Sequence, residues 1–95
     1  MVGDKFQNLY EVMRKLRLEC PWDREQTHDS IKGATLEETY ELIEAIDLKD
    51  YSELKSELGD LLLHIVFHSA IGEDNKTFTT EDVIDAIKAT LTRSI

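Results

Sequence analysis

The stretch Glu57–Ile71, with the sequence ELGDLLLHIVFHSAI, decides the fold of this chain. From Leu61 onward its apolar residues surround a helical wheel almost completely, which indicates a helix buried on several sides. Asp50 and Glu53 form a capping pattern before this stretch, and Gly72 is suited to end a helix. We therefore predict one long helix from residue 51 to Ala70 or Ile71, with its stop at Gly72.

A first helix is predicted over residues 4–18, where apolar side chains recur at helical spacing. Asp4 and Gln7 can form a capping box at its start. Pro21 disfavours helical backbone at the residue before it, so the first helix must end there. We expect residues 20–34 to form a loop, with one short helical turn around Asp29–Lys32 that ends at Gly33.

Two more helices follow from the same reasoning. Thr35 and Glu38 form a capping-box pattern, which predicts a helix over residues 36–48. Thr79 or Thr80 can cap the last helix, because acidic residues follow in its first turn and an apolar face comes after them.

Residues 1–95 are thus predicted to form a single all-α domain, a four-helix bundle-like protomer with short loops. No strand pattern, internal repeat or linker interrupts it. Three short partner helices cannot cover a helix that is apolar on most sides. We therefore expect the chain to associate as a homodimer or a larger assembly.

The negative charge of the chain is concentrated in one segment. Residues 37–60 hold nine acidic residues and two lysines, and so carry −7 of the formal net charge of −9. A face that binds nucleic acid needs basic residues, so no nucleic-acid polymer is expected as a partner. The sequence shows no export signal and no apolar run long enough to span a membrane, and its one cysteine, Cys20, excludes an intrachain disulfide. We expect a cytoplasmic protein without a membrane partner.

Two acidic pairs lie within this segment. Glu38 and Glu41 are three residues apart, as are Glu57 and Asp60, so each pair shares one face of a predicted helix. Two such pairs that face each other would form an oxygen-rich site for a hard cation such as Mg²⁺. The alternative is a solvated acidic surface, but Asp60 is followed directly by three leucines, which disfavours a purely solvated role.

Other residues leave two interpretations open. His64 and His68, four residues apart, could chelate a transition metal, but hydrogen bonding in the interior beside the acidic pairs is the favoured interpretation. Trp22 could stack on a nucleobase or fold its loop over the core. Arg24 and Lys32 could contact phosphate, although isolated surface cations are usually only solvated.

The acidic segments resemble a known signature. Residues 36–41 (LEETYE) and 57–62 (ELGDLL) are similar to the EExxE…ExxD pattern of the MazG-type nucleoside triphosphate pyrophosphohydrolases. Residues 20–27 (CPWDREQT) resemble the CPWD-x-x-QT stretch of MazG proteins, which makes the match more specific. The resemblance extends over almost the whole chain, residues 6–93.

The resemblance implies an all-α bundle that forms a homodimer or homotetramer and hydrolyses a nucleoside triphosphate to a monophosphate and pyrophosphate. Mg²⁺ is the implied cofactor, for which Mn²⁺ can substitute. Metal ligands are expected at the four family positions, which are Glu38, Glu41, Glu57 and Asp60. Glu37 or Glu41 is the expected general base that orients the attacking water.

The carboxyl-terminal residues depart from the family pattern. Arg93 matches the basic run that often follows the last helix of MazG proteins, and is expected to bind substrate together with Trp22. Thr90 and Ser94 stand where basic residues are usual. Two alternatives remain: a narrower dCTP, dUTP or phosphoribosyl-ATP pyrophosphatase, and a non-catalytic helical module that binds metal or a protein partner.

Overall fold

The computed structural model describes all residues from 1 to 95, and every regular element in it is a helix. Four helices are long and one has a single turn. They are α1 (Val2–Glu19), α2 (Pro21–Glu25), α3 (His28–Asp47), α4 (Tyr51–Asp74) and α5 (Thr80–Arg93). The prediction of an all-α fold is confirmed, and α2 is an additional short helix within the predicted loop.

The structure begins α3 eight residues earlier than the sequence pattern predicted. Thr27 is the N-cap, and its hydroxyl accepts a hydrogen bond from the backbone N–H of Ser30 at 3.1 Å. The Ser30 hydroxyl in turn lies 2.8 Å from the backbone N–H of Thr27, which completes a capping box. The predicted cap at Thr35 is wrong because this upstream box satisfies the free N–H groups first.

The helix α4 begins as predicted, because the Asp50 side chain accepts a hydrogen bond from the N–H of Glu53 at 3.1 Å. The predicted stop near Gly72 is wrong, since α4 continues through it to Asp74. A Cβ atom at Gly72 would overlap the ring of Phe78, so this glycine permits close packing of the following loop and does not end the helix.

Helix α5 begins at the predicted cap, where Thr79 and Asp82 form a capping box. Helix α1 does not begin with the predicted capping box of Asp4 and Gln7. It starts at Val2 without a side-chain cap, so the N–H groups near Asp4 already lie within the helix. The Gln7 side chain instead donates to Glu11 at 3.2 Å.

The core lies where α1, the first turns of α3 and the second half of α4 meet. Its buried members are Met13, Ile31, Val66, Phe67, Ala70 and Ile71. The helices α3 and α4 form an antiparallel hairpin joined by a three-residue loop, so the end of α3 lies beside the start of α4. Burial of α4 on several sides holds only from Val66 onward, because Leu62, Leu63 and Ile65 remain more than one-third exposed.

Candidate metal centre

Three carboxylates meet across the α3–α4 hairpin. Glu38 and Glu41 of α3 and Glu57 of α4 each present an oxygen atom, and these atoms lie within 4.8 Å of one another. Glu57 is buried, Glu38 is half-buried and Glu41 is exposed. None of the ion pairs in the structure includes any of them, so the three acidic groups face one another without a basic partner.

Two of these oxygen atoms are buried without a hydrogen-bond partner, namely Oε2 of Glu38 and Oε2 of Glu57. A buried carboxylate oxygen without a partner is destabilising, and a bound cation removes that cost. Carboxylate oxygens are the ligands that Mg²⁺ prefers in proteins. The donor set and its two unpartnered oxygens therefore fit a hard divalent cation.

The proton affinity of the cluster reflects the same crowding. Burial, together with the contacts of Glu53 and Glu41 and the charges of Glu41 and Glu38, raises the pKa of Glu57 from 4.5 to about 8. Burial and the charges of Glu41 and Asp60 also raise the pKa of Glu38. Without a cation, the site therefore tends to retain a proton near neutral pH.

A cavity of about 290 Å³ lies beside this cluster, and two of the three carboxylates, Glu41 and Glu57, line it. Its other polar lining is also acidic, from Glu44, Asp50 and Glu53. An anionic ligand in this space would be repelled unless a cation entered with it.

The structure separates the other predicted site residues from this cluster. Asp60 is exposed and is not part of the group within 4.8 Å, although its charge acts on Glu38. Glu37 is exposed and makes no side-chain hydrogen bond or ion pair. Arg93 is exposed in the last turn of α5 and has no acidic partner.

A second polar cluster lies further along the same hairpin, and it is hydrogen-bonded. Thr35 Oγ1 lies 2.8 Å from His64 Nδ1 and 3.0 Å from His68 Nε2. His68 Nδ1 lies 2.9 Å from His28 Nδ1. Burial and the neighbouring charges of His28 and His64 lower the pKa of His68. His64 and His68 are therefore hydrogen-bonded within the hairpin, as the favoured interpretation predicted.

Trp22 lies in α2 and packs edge-on against Phe67, with ring centroids 6.3 Å apart. Trp22 is 62% exposed, so it covers only part of the core and most of its surface is in contact with solvent. Arg24 donates to the carbonyl oxygen of Leu18 at 3.4 Å, and Lys32 pairs with the exposed Asp29 at 3.4 Å. These two cations make local contacts away from the carboxylates.

Arg17 was not among the predicted functional residues, yet it is buried on α1 and hydrogen-bonded to α2 and to Asp74. Leu16, an apolar residue at helical spacing from Met13, is 36% exposed. A spacing of four from Met13 places Arg17 on the buried face instead. An arginine in line with an apolar stripe was the signal that could have identified it.

None of the five helices combines the length and the hydropathy that a membrane crossing requires.

Comparison with known proteins adds an independent observation. Residues 26–94 match the family model described as the MazG nucleotide pyrophosphohydrolase domain. The chain is 50% identical over 93 residues to the nucleoside triphosphate pyrophosphohydrolase/pyrophosphatase MazG of Thermotoga maritima, which covers 96% of this chain and 36% of that protein.

Two further relatives carry the name nucleoside triphosphate pyrophosphohydrolase. The protein from Mycobacterium tuberculosis is 45% identical over 87 residues, which is 90% of this chain and 27% of the relative. The Escherichia coli K12 protein is 40% identical over 93 residues, which is 95% of this chain and 35% of the relative. The chain therefore spans about a third of the length of these relatives.

Proposed function

Because the chain belongs to the MazG nucleotide pyrophosphohydrolase family, we propose that it hydrolyses nucleoside triphosphates to monophosphates and pyrophosphate. The observation that carries this proposal is the cluster of Glu38, Glu41 and Glu57, with two buried oxygens that have no partner. Such a site supports chemistry on an anionic phosphate chain, which needs a cation to approach so many carboxylates.

The residues proposed to hold Mg²⁺, or Mn²⁺ in its place, are Glu38, Glu41, Glu57 and Asp60. A divalent cation supplies charge neutralisation of the triphosphate and acidifies water when it is bound at such a site. Glu57 anchors the cluster from α4, because it is the most buried of the acidic groups that meet there. Asp60 follows one turn later and extends the acidic surface towards solvent.

Proton transfer falls to a carboxylate that solvent can reach. Glu41 and Glu37 are both exposed on α3, and they are the proposed general bases for the attacking water. Glu41 has the stronger geometric support because its oxygen is part of the cluster. Glu57 is a poorer base in the absence of a cation, since its raised pKa keeps it largely protonated at neutral pH.

Substrate recognition is assigned to Trp22 and Arg93. The exposed indole of Trp22 offers a flat surface to a nucleobase, and Arg93 is a cation without an acidic partner. Neither assignment specifies a particular base or sugar. Standard or damaged nucleoside triphosphates are therefore the proposed substrate class, with dCTP, dUTP or phosphoribosyl-ATP as the narrower alternatives. No nucleic-acid polymer is proposed, because the net charge is −9.

A homodimer or homotetramer is proposed because the protomer leaves many large apolar side chains exposed. They include Leu36, Tyr40, Ile43 and Ile46 on α3, Leu58, Leu62 and Ile65 on α4, and Ile84, Ile87 and Leu91 on α5. Several of these recur at helical spacing and form stripes, which marks an association surface better than scattered residues would. Multi-angle light scattering at micromolar concentration checks this, and a stable monomer would contradict it.

The second candidate is a binding module that has lost turnover. It is favoured by Thr90 and Ser94, which stand where the family usually has basic residues, so Arg93 is left as the one cation of that run. Such a module would keep the carboxylate cluster and would bind metal without cleaving the substrate.

A pyrophosphate assay separates the two candidates. The protein is incubated with a panel of nucleoside triphosphates with and without Mg²⁺. The enzyme proposal predicts Mg²⁺-dependent pyrophosphate release that Glu41→Gln or Asp60→Asn abolishes and Asp47→Asn, an exposed change at the end of α3, does not. Absence of turnover together with Mg²⁺-dependent thermal stabilisation supports the module. Release of single phosphate would contradict both the reaction and its cleavage position.

A further inference from the structure

Arg17 holds the α2 turn in place through its guanidinium group, and its side chain is only 8% exposed. Its Nη1 donates to the carbonyl oxygens of Asp23 at 2.8 Å and Gln26 at 2.9 Å. Its Nε donates to the carboxylate of Asp74 at 2.8 Å. One side chain of α1 therefore ties the carboxyl end of α2 to the end of α4. Charge-assisted hydrogen bonds of this kind are the stronger ones.

The same turn carries Trp22, whose backbone is held from a second direction. Gln26 Nε2 donates to the carbonyl oxygen of Trp22 at 2.9 Å, and Gln26 Oε1 accepts from the Ser30 hydroxyl at 2.7 Å. The indole rests edge-on against Phe67 and is otherwise exposed. The backbone of Trp22 is thus fixed on both sides, while most of its ring stays free for a ligand.

The position of the indole suits one end of a nucleotide. Phe67, on which it rests, lies ten residues beyond Glu57 on α4, which corresponds to about 15 Å along the helix axis. A nucleoside triphosphate can span this length between its phosphates and its base. We propose that Arg17 is a positioning residue for nucleobase binding, which keeps the Trp22 indole where the base stacks. This inference rests on the proposed function and names the recognition element of the same site.

Arg14 provides a matched control. Its Nη2 donates to the other oxygen of Asp74 at 2.7 Å, and its Nη1 donates to the carbonyl oxygen of Ala70 at 3.2 Å. It makes no hydrogen bond to α2. Loss of either arginine removes an ion pair to Asp74, but only loss of Arg17 frees the turn that carries Trp22.

The test uses the fluorescence of Trp22, which is the only tryptophan of the chain. The full chain is titrated with α,β-methylene-ATP and Mg²⁺, since this analogue resists cleavage at the relevant bond. We expect quenching in the wild type and a titration midpoint about tenfold higher in Arg17→Gln, within the range that loss of one base–aromatic stack produces. Arg14→Gln is expected to leave the midpoint unchanged. Inorganic tripolyphosphate, followed by calorimetry, is expected to bind all three proteins equally.

Several results would overturn the inference. They are an unchanged midpoint in Arg17→Gln, an equal loss in both arginine variants, and tripolyphosphate binding by the wild type without quenching by the nucleotide. All three leave the proposed function standing, because it depends on the carboxylates and on pyrophosphate release. A wild type that binds neither ligand would remove both proposals together.

A variant of a buried arginine can fail to fold, so circular dichroism precedes each titration. If Arg17→Gln unfolds, Arg17→Lys and Gln26→Ala take its place. The first keeps the charge but lacks the planar fork of donors, and the second removes only the hydrogen bond to the Trp22 carbonyl and its link to Ser30. Both are expected to raise the nucleotide midpoint without changing that of tripolyphosphate, and unchanged midpoints in both would overturn the inference.

Discussion

The α3–α4 hairpin has two polar regions, and they differ in whether their groups have partners. The carboxylate cluster comprises Glu38, Glu41 and Glu57, and the histidine cluster comprises His28, Thr35, His64 and His68. Both are partly buried between the same two helices. In the histidine cluster the protein supplies the hydrogen-bond partners, whereas the carboxylate cluster leaves two buried oxygens without one. The contrast identifies which region requires a ligand from solution.

One assignment of protons satisfies the histidine cluster. If the Thr35 hydroxyl donates to the carbonyl oxygen of Ile31 at 3.1 Å, His64 Nδ1 and His68 Nε2 must both donate to Thr35. A neutral His68 then accepts at Nδ1 from His28. The lowered pKa of His68 favours that neutral form. Each of these contacts then pairs one donor with one acceptor, so this region needs no added ion.

The carboxylates lack such a set of partners. A single proton on Glu57 can pair with one neighbouring carboxylate, such as Glu38, but no basic side chain is paired with any of the three acidic groups. Burial and the neighbouring glutamates raise the pKa of Glu57, which agrees with the lack of basic partners in this cluster. A divalent cation satisfies all three groups at once, which is why the comparison supports a metal site here and not among the histidines.

The largest expected effect comes from Glu57→Gln. The amide keeps the shape of the side chain but cannot serve as an anionic ligand, so pyrophosphate release is expected to fall by more than about 100-fold. The metal-free variant is expected to melt at a higher temperature than the wild type at pH 8.5, because a buried charge has been removed. Parallel assays of turnover and thermal melting check both parts. Retained activity, or a lower melting temperature, would contradict the assigned role.

A pH titration of stability tests the carboxylate cluster without an activity assay. The pKa of Glu57 is raised from 4.5 to about 8, so between these values the folded protein binds more protons than the unfolded chain. Metal-free stability is therefore expected to fall as the pH rises from 5 to 9. Saturating Mg²⁺ should reduce this slope, and Glu57→Gln should remove most of it. Melting curves across this range give the answer, and a flat metal-free profile would count against the cluster.

The histidine cluster is tested by Thr35→Val with Thr39→Val as its matched control. Loss of the Thr35 hydroxyl deprives two ring nitrogens of their partner and should destabilise the fold by about 2 kcal/mol. The Thr39 hydroxyl only donates back to the carbonyl oxygen of Thr35 at 3.0 Å, so its loss should change stability by less than about 0.5 kcal/mol. Chemical denaturation measures both.

Stabilisation by Mg²⁺ sharpens this test. Thr35→Val should keep the Mg²⁺-induced rise in melting temperature, because no group of the carboxylate cluster is altered. If the variant loses this response, the two clusters are coupled and the distinction between them fails.

The sequence revealed the carboxylate cluster more readily than its surroundings, for physical reasons. The spacing of three along a helix depends only on local geometry, so the sequence alone suffices to place Glu38 and Glu41 on one face. The position of Glu57 beside them depends on how α3 packs against α4, which spacing alone does not fix. Asp60 illustrates the limit, because it shares the helical spacing yet lies outside the closest group.

The hydrogen-bond partner of His64 and His68 could not be predicted, because the sequence pattern placed the start of α3 at the wrong residue. Thr35 was predicted to cap a helix, and a cap could not also lie inside one. Because Thr27 caps α3 instead, the Thr35 side chain is available to contact His64 and His68. Competing capping signals are nearly equal in energy, so tertiary contacts decide between them.

The smallest expected effect concerns the loop beside the carboxylate cluster. Lys49 has a positive φ of 56°, a conformation that glycine adopts without strain, and the next N–H, of Asp50, donates to the carbonyl oxygen of Ala45 at 3.1 Å. Lys49→Gly should stabilise the protein by about 0.5 kcal/mol, net of the entropy that glycine loses on folding. Lys49→Gln removes only the charge and should give no gain. Urea denaturation compares the two, and an equal gain in both would assign the effect to charge.

The central claim is that Glu38, Glu41 and Glu57 bind one divalent cation between α3 and α4. An anomalous difference map from crystals grown with Mn²⁺ tests it most directly. We predict a peak in contact with oxygen atoms of all three side chains, and its loss in Glu57→Gln crystals. Crystals that hold ordered Mn²⁺ elsewhere on the protein, with no peak between these carboxylates, would contradict the account.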